Sequence, residues 1–251
     1  MNKEMSRAIM VLGVLLALGM SVAAFILGVH ADHLGSGRQT ITVKGLAEKP
    51  VQADYAEWTI GVRVVAPTLA DTLAKLRAAR PDLDAFLVKQ GFDPGTQKAS
   101  DESLAPNMVE DDSKPETPPR QVQKGFIGTQ TIVVTTKDLV KIAAASKAAL
   151  EFEASGHPIF YAAPSYLVSK LEDIKMSLIG AATQNAQKRA EEFAKNGNAK
   201  VGSMHAASQG AFYILAAGSS VDSADYGGAY DKSTPDKTAR VVVTIDYNIE
   251  R

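Results

Sequence analysis

The sequence contains no cysteine, few histidines and no excess of charge of either sign. Without cysteine the chain has no disulfide bonds, thiolate nucleophiles, zinc ribbons or iron–sulfur ligands. The 27 basic and 28 acidic residues leave a net charge of −1, which excludes bulk binding of nucleic acid through a basic surface. Of the 251 residues, 45% are hydrophobic and 22% charged, as is typical of folded proteins with one or two domains.

A long apolar segment near the N-terminus is the strongest single signal. Residues 8–29 carry no charged side chain over 22 positions, and the basic residues Lys3 and Arg7 precede them. A helix of that length would reach about 33 Å, enough to cross a hydrocarbon core of about 30 Å. Because basic flanks stay on the cytoplasmic side, the segment predicts export of the remaining chain.

Two fates of this segment fit the sequence. The first is an uncleaved anchor with a single transmembrane helix, because the apolar region of a signal peptide is usually only about 7–15 residues long. The second is a cleaved signal peptide, with compact residues at Val29 and Ala31 where a signal peptidase acts. Residues 1–31 are therefore assigned to a membrane anchor or signal segment, and residues 32–39 to a polar tether.

Hydrophobic periodicity over residues 40–251 predicts an α+β domain. Alternating apolar residues predict strands at 40–46, 53–65, 124–135, 159–168, 201–209 and 239–247, with a short strand within 96–103. Apolar residues three and four positions apart predict helices at 68–91, 136–151 and 169–195. Pro81 should kink or split the first helix, because proline removes a backbone donor, and Pro50 predicts a turn over 47–52.

The order of these elements repeats along the chain. Residues 53–135 and 159–248 predict two β-α-β-β type units with antiparallel or mixed sheets and helices packed on one face. Proline and acidic residues at 105–121, and turn-forming residues at 218–237, predict two mobile loops. The sheet face left without helices is a candidate interface between subunits.

Three stretches resemble the SIMPL-domain family, which includes YggE-like exported bacterial proteins. They are ITVKGLAEKPVQADYAEWTIGVRV at residues 41–64, the motif KGF at 124–126 with the strand after it, and the alanine-rich helix through residues 181–190. The resemblance covers residues 40–247, and its motifs are structural rather than catalytic. It implies a non-enzymatic envelope protein in a family linked to oxidative-stress tolerance, some members of which form ring-like homo-oligomers.

Few polar side chains form a pattern suited to catalysis. Asp54 and Glu57 lie three positions apart on one predicted strand and point to opposite faces, which argues against a paired acid and base. His157 lies at a predicted turn, and His205 lies on a strand without an acidic residue close in sequence. A metal site needs three or four converging ligands, so these histidines would have to meet in space.

The loop at 218–237 and the third helix carry the remaining candidates. Ser219 and Ser220 lack the G-x-S-x-G pattern of a hydrolase nucleophile, whereas Tyr226 and Tyr230 could form a mobile contact surface. The alanine-rich helix permits close packing, either in the core or at a seam between subunits. The methionines could consume oxidants by forming sulfoxide, and the candidates are Met176 and Met204.

The sequence therefore predicts a non-enzymatic, membrane-anchored envelope protein with a self-assembling domain, associated with oxidative or envelope stress. No residue is assigned to catalysis, a cofactor or a metal. The predicted partners are the inner membrane, through residues 8–29, and further copies of the chain, with the domain in the periplasm. Two alternatives stay open: an oligomeric pore or conduit in the envelope, and a periplasmic hydrolase with a site between subunits.

Overall fold

A computed structural model describes residue 10 and residues 12–26, 39–111, 120–219 and 228–250. The strands are β1 (Thr40–Gln52), β2 (Tyr55–Ala66), β3 (Gln97–Ala99), β4 (Ser103–Asp111), β5 (Arg120–Thr136), β6 (Ile159–Tyr161), β7 (Ser165–Leu167), β8 (Lys200–Ala216) and β9 (Asp236–Glu250). The helices are α1 (Leu69–Lys89), α2 (Leu139–Ala154) and α3 (Leu171–Asn196), with a 3₁₀ turn at Pro94–Thr96. The predicted α+β class with antiparallel sheets is confirmed.

The chain forms two compact units, and each is built from segments that are distant in sequence. The larger unit comprises Gly45–Asn185 and Gln209–Val243, and the smaller one draws on Met1–Lys44, Ala186–Ser208 and Thr244–Arg251. A six-stranded sheet has the order β3-β5-β2-β6, with β4 also paired to β5 and β7 to β2. A three-stranded sheet has the order β1-β9-β8.

The core of the larger unit lies between the six-stranded sheet and the helices α1 and α2. Alternate residues of β2 point into it, and Trp58, Ile60 and Val62 are fully buried. The indole N–H of Trp58 donates a hydrogen bond of 2.8 Å to the carbonyl oxygen of Ala162, which satisfies the polar end of this large side chain. In the register of β2 and β5, Ile60 lies opposite Ile132 on the same face.

The first helix does not split at Pro81. It begins after Thr68, whose hydroxyl oxygen accepts the backbone N–H of Asp71, and continues without a break to Lys89. Pro81 removes one backbone hydrogen bond, the one that would be donated to the carbonyl oxygen of residue 77. The helical turns before and after it each bury a leucine side chain, Leu76 and Leu83. The prediction of a split is wrong because packing outweighs the loss of one backbone hydrogen bond.

The described residues of the region predicted as a mobile loop, 105–111 and 120–121, are strand. Strands β4 and β5 pair antiparallel from Ser103 opposite Thr129 to Asp111 opposite Arg120, and residues 112–119 lie outside the described residues. The register shifts between Pro106 and Met108. Such an irregularity accommodates a proline that cannot donate to the ladder, so proline content did not exclude a strand here.

Two further boundaries differ from the prediction. Residues 47–52 continue β1 instead of forming a turn, and Pro50 is included in that strand. Strand β8 extends to Ala216, well beyond the predicted end at 209. In the predicted loop at 218–237, residues 228–237 are described, whereas residues 220–227 lie outside the described part of the chain.

The predicted membrane segment, residues 8–29, is described only in part. Residues 12–26 are helical with exposed side chains, whereas residues 8, 9, 11 and 27–29 lie outside the described residues. Within the described residues, no helix is both long enough and apolar enough to span a membrane, so the expected full span is not found there.

Candidate functional site

One face of the six-stranded sheet carries no helix packing from α1 or α2, because both helices lie on the face of Trp58. The open face is formed by the intervening positions of β2 and their partners on β5 and β6. Its β2 residues are Tyr55, Glu57, Thr59, Gly61, Arg63 and Val65. Opposite them stand Thr135, Val133, Thr131, Thr129 and Ile127 of β5. This set is called the open face below.

The middle of the open face is tightly built. Gly61 pairs with Phe160 of β6, and a Cβ atom at Gly61 would lie 2.7 Å from the Phe160 ring and 2.5 Å from the carbonyl oxygen of Gln130. The guanidinium of Arg63 lies 4.5 Å from the centroid of the same ring, which is cation–π geometry. Val65 is 48% exposed at the end of the strand. The open face is thus a preorganised surface of apolar and β-branched side chains that bears the exposed charges of Glu57 and Arg63 on β2, and the exposed Lys98 of β3 lies beside it, opposite Val133.

A cavity of about 680 Å³ opens where β2 begins and β5 ends. Its walls include Tyr55, Thr96, Thr136, Lys137 and Lys170. Both lysines belong to segments that directly precede a helix, Lys137 before α2 and Lys170 before α3. This group of residues is called the two-lysine cavity below.

Asp54 borders the two-lysine cavity and is held by Ser169. The carboxylate accepts the Ser169 backbone N–H at 2.9 Å and also the Ser169 hydroxyl. Burial raises the pKa of Asp54, but the hydrogen bonds from Ser169 and the nearby charge of Lys137 outweigh it, so the pKa lies below its ordinary value. Glu57 is exposed on the open face, so the two acids do not share a site.

A buried ion pair fixes the segment before β9. The ammonium of Lys237 is fully buried and donates to the Asp231 carbonyl oxygen at 2.5 Å and to Asp231 Oδ2 at 3.1 Å. Burial alone would raise the pKa of Asp231. The hydrogen bonds from Ser233, Thr234 and Lys237 lower it by more than that, so the net pKa is well below its usual range. Sequence reasoning missed this cluster, because the turn-forming residues around Asp231 predicted a mobile loop.

Tyr230 ties the same segment to β7. Its hydroxyl oxygen accepts the backbone N–H of Val168 at 2.8 Å, and burial raises the pKa of this phenol. The backbone N–H of Tyr166 donates to the Lys232 carbonyl, and that of Ala53 to the Pro235 carbonyl. Tyr230 is therefore a structural contact of the larger unit, and the expected mobile surface is wrong for this residue. Tyr226 and Gly227 lie outside the described residues.

The structure does not bring the predicted histidines into a metal site. His157 stacks on Phe152 and lies 3.6 Å from Asp82, whereas His205 is an exposed residue of β8. Among the described residues, no three histidine or acidic side chains are close enough to hold a metal ion.

The other candidates occupy ordinary positions. The hydroxyl of Ser219 donates to the Ala216 carbonyl in a turn after β8, and Ser220 lies outside the described residues. Met176 and Met204 are exposed, at 61% and 48%. The alanines of α3 are buried, namely Ala182 in the larger unit and Ala186, Ala190 and Ala194 in the smaller one.

Comparison with protein families assigns the chain to a known family. The SIMPL family, described as a protein of unknown function (DUF541), matches residues 41–247. The protein belongs to the SIMPL family. The resemblance seen in the sequence is thereby confirmed over nearly the same range. No curated protein matches the chain.

Proposed function

We propose that this SIMPL protein is a non-enzymatic component of the bacterial envelope whose domain self-assembles through the open face. The observation that carries the proposal is the open face itself, a stiff sheet surface with partly exposed apolar residues and two opposite charges. Sheets that bury one face normally leave the other to solvent or to a partner. The charges on this face favour a second copy of the same chain as the partner.

The charge pattern of β2 is complementary to itself. Glu57 and Arg63 both lie exposed on the open face, six residues apart, and thus about 20 Å apart at the usual strand rise. A two-fold axis in the interface and perpendicular to β2 near residue 60 would place Glu57 of each copy over Arg63 of the other. In this isologous arrangement each charge pair occurs twice, and the close Gly61–Phe160 contact lies at its centre.

Export and attachment to the inner membrane rest on the sequence. The uncharged run at 8–29 and the basic residues before it favour a single N-terminal span with the domain in the periplasm; the alternative is cleavage and a soluble periplasmic domain. Protease digestion of spheroplasts and N-terminal sequencing test both. A domain protected in intact spheroplasts would refute export.

A role in oxidative or envelope stress tolerance is supported by family resemblance, and a deletion strain challenged with peroxide tests it.

Light scattering of the full chain in detergent, after size-exclusion chromatography, tests the assembly. We expect a protein mass of at least twice the 26.6 kDa of one chain at micromolar concentration. Glu57→Arg alone and Arg63→Glu alone should each weaken association, because like charges would then face each other. The double variant should restore it, and a mixture of the two single variants should associate.

Lys147→Glu is the matched control, because Lys147 is exposed on α2 and away from the open face. It should associate like the wild type. A strict monomer would refute self-assembly. If neither single charge reversal weakens association, the open face is refuted as the interface. Electron microscopy of that assembly would then reveal whether it is a ring with a lumen.

A further inference from the structure

The two-lysine cavity contains more positive charge than its own residues neutralise. The ion pairs among the described residues join other side chains, so Lys137 and Lys170 are not committed to a carboxylate in this way. The one acidic side chain on the wall, Asp54, is occupied by two hydrogen bonds from Ser169. The cavity wall therefore carries two lysines and one carboxylate.

The other wall groups are suited to oxygen-rich molecules. Thr135 and Thr136 contribute hydroxyls and Tyr55 contributes a phenol, whereas the Thr96 hydroxyl already donates to the Asp93 carbonyl oxygen. Hydroxyl groups both donate and accept hydrogen bonds, whereas ammonium groups donate only. The volume of about 680 Å³ lies within the range usual for small-molecule sites, roughly 300–1,000 Å³.

From this cavity we infer a binding site for a phosphate monoester of small-molecule size, held by Lys137 and Lys170 with the hydroxyls of Thr135 and Thr136 as further donors to its oxygen atoms. A phosphate monoester carries about −1.5 to −2 charges near neutral pH and offers three strong acceptor oxygens, so it matches two lysines better than a monocarboxylate. Lysine binds phosphate as a point charge and needs no planar partner. The inference does not require self-assembly, since every wall residue belongs to the larger unit of one copy. The cavity shares Tyr55 and Thr135 with the open face, but its two lysines lie outside that face.

A neighbouring cavity bears on the source of the phosphate. Asp54 and Lys170 also line a second cavity of about 390 Å³, whose walls include the apolar side chains of Val51, Val168 and Ile174. A soluble sugar phosphate would use the two-lysine cavity alone. A lipid with a terminal phosphate could place its head group there and its first carbons against the apolar walls.

Isothermal titration of the full chain in neutral detergent tests the site. The probes are glycerol 3-phosphate, gluconate as a monocarboxylate of similar size, and mixed micelles of the detergent with phosphatidylcholine, with and without phosphatidic acid. We expect glycerol 3-phosphate to bind and gluconate to bind at least several-fold more weakly. Binding of phosphatidic acid in mixed micelles in preference to the soluble phosphate identifies the lipid source, and the reverse order identifies the soluble one.

Variants separate the site from general surface charge. Lys137→Gln with Lys170→Gln should weaken phosphate binding about tenfold or more, because two charge-assisted contacts are lost. Lys147→Gln with Lys188→Gln removes the same charge from exposed positions on α2 and α3 and should leave the affinity within about twofold of wild type. Far-ultraviolet circular dichroism checks that both double variants fold.

Three results would overturn the inference. One is the absence of binding of any phosphate probe up to millimolar concentration. The second is equal weakening by the two double variants, which would assign the affinity to net charge. The third is gluconate bound as tightly as glycerol 3-phosphate, because the site would then not distinguish a phosphate monoester. The two lysines tested here lie outside the open face, whereas the charge reversals at Glu57 and Arg63 lie on it, so failure of the phosphate site and failure of self-assembly give different results.

Discussion

The imidazole of His157 lies flat on the phenyl ring of Phe152, with centroids 3.9 Å apart and an interplanar angle of 14°. Phe152 stacks in turn on Phe86, with centroids 4.5 Å apart. His157 Nδ1 also lies 3.6 Å from Asp82 Oδ2. Phe86 and Asp82 belong to α1 and Phe152 to α2, so the stack joins the two helices that cover the sheet. A histidine considered as a metal ligand is therefore part of the packing.

Removal of the central ring should destabilise the larger unit. Phe152→Ala deletes both aromatic contacts, and we expect the free energy of unfolding to fall by about 2 kcal/mol, less than for a fully buried ring. Urea denaturation followed by the fluorescence of Trp58, the one tryptophan of the chain, measures it. Val140→Ala is the control, because Val140 is 80% exposed on the same helix and should change stability by no more than about 0.5 kcal/mol. Equal effects would contradict the stack as a stabilising contact.

Two glycines should respond to the same substitution with opposite signs. A Cβ at Gly61 would meet Gln130 O at 2.5 Å and the Phe160 ring at 2.7 Å, and the carbonyl cannot move without breaking the β2–β5 ladder. We expect Gly61→Ala to cost about 1–3 kcal/mol. Gly180 lies in α3, and a Cβ atom there would meet nothing within 4 Å, so Gly180→Ala should stabilise by about 0.5–1 kcal/mol. Thermal unfolding of both variants decides, and a stabilising Gly61→Ala would refute the close contact.

Periodicity predicted the elements whose burial is regular. Strand β2, with its buried alternation through Trp58 and Ile60, and helix α2 were found within a few residues of the expected bounds. The sequence did not predict the antiparallel pairing of β4 with β5, because the composition of residues 105–121 resembles that of a loop. Their prolines and acids suggest a loop, yet the two strands satisfy each other's backbone, which no single stretch of sequence reveals.

The candidate sites depend on contacts that are distant in sequence. Asp54 meets Ser169 across 115 positions, and Tyr230 meets Val168 across 62. The two-lysine cavity draws on four separate stretches, so neither Lys137 nor Lys170 stands out in the sequence by itself. The open face, in contrast, follows from alternation in β2, because one buried face implies another that is not.

The buried ion pair should contribute more to stability than a half-exposed pair on the same strand. Lys237→Ala leaves the Asp231 carboxylate and carbonyl short of a donor in a buried place, and we expect a loss of about 2–4 kcal/mol, since breaking a buried pair is costly. Arg240→Ala breaks the half-exposed pair with Glu48 and should cost no more than about 1 kcal/mol. Urea denaturation of the two variants measures the difference. Similar losses would contradict the burial of Lys237.

The Asp231 carboxylate should make stability depend on pH in the acid range. Its pKa in the folded protein lies below the unfolded value, because the hydrogen bonds from Ser233, Thr234 and Lys237 outweigh burial. The folded state therefore holds fewer protons at this site. Its contribution is complete above the unfolded pKa of about 3.9 and is lost as pH falls through the folded pKa.

Asp231→Asn cannot titrate at this position, and it should be less stable than wild type at pH 7. We expect the difference in free energy of unfolding between the two proteins to shrink as the pH is lowered from about 5 to about 3, because only the wild type must take up this proton on unfolding. Urea titrations at several pH values give that difference directly. A difference that stays constant over this range would mean that the carboxylate has the same pKa in both states, and the hydrogen bonds to Asp231 would then not favour its ionised form.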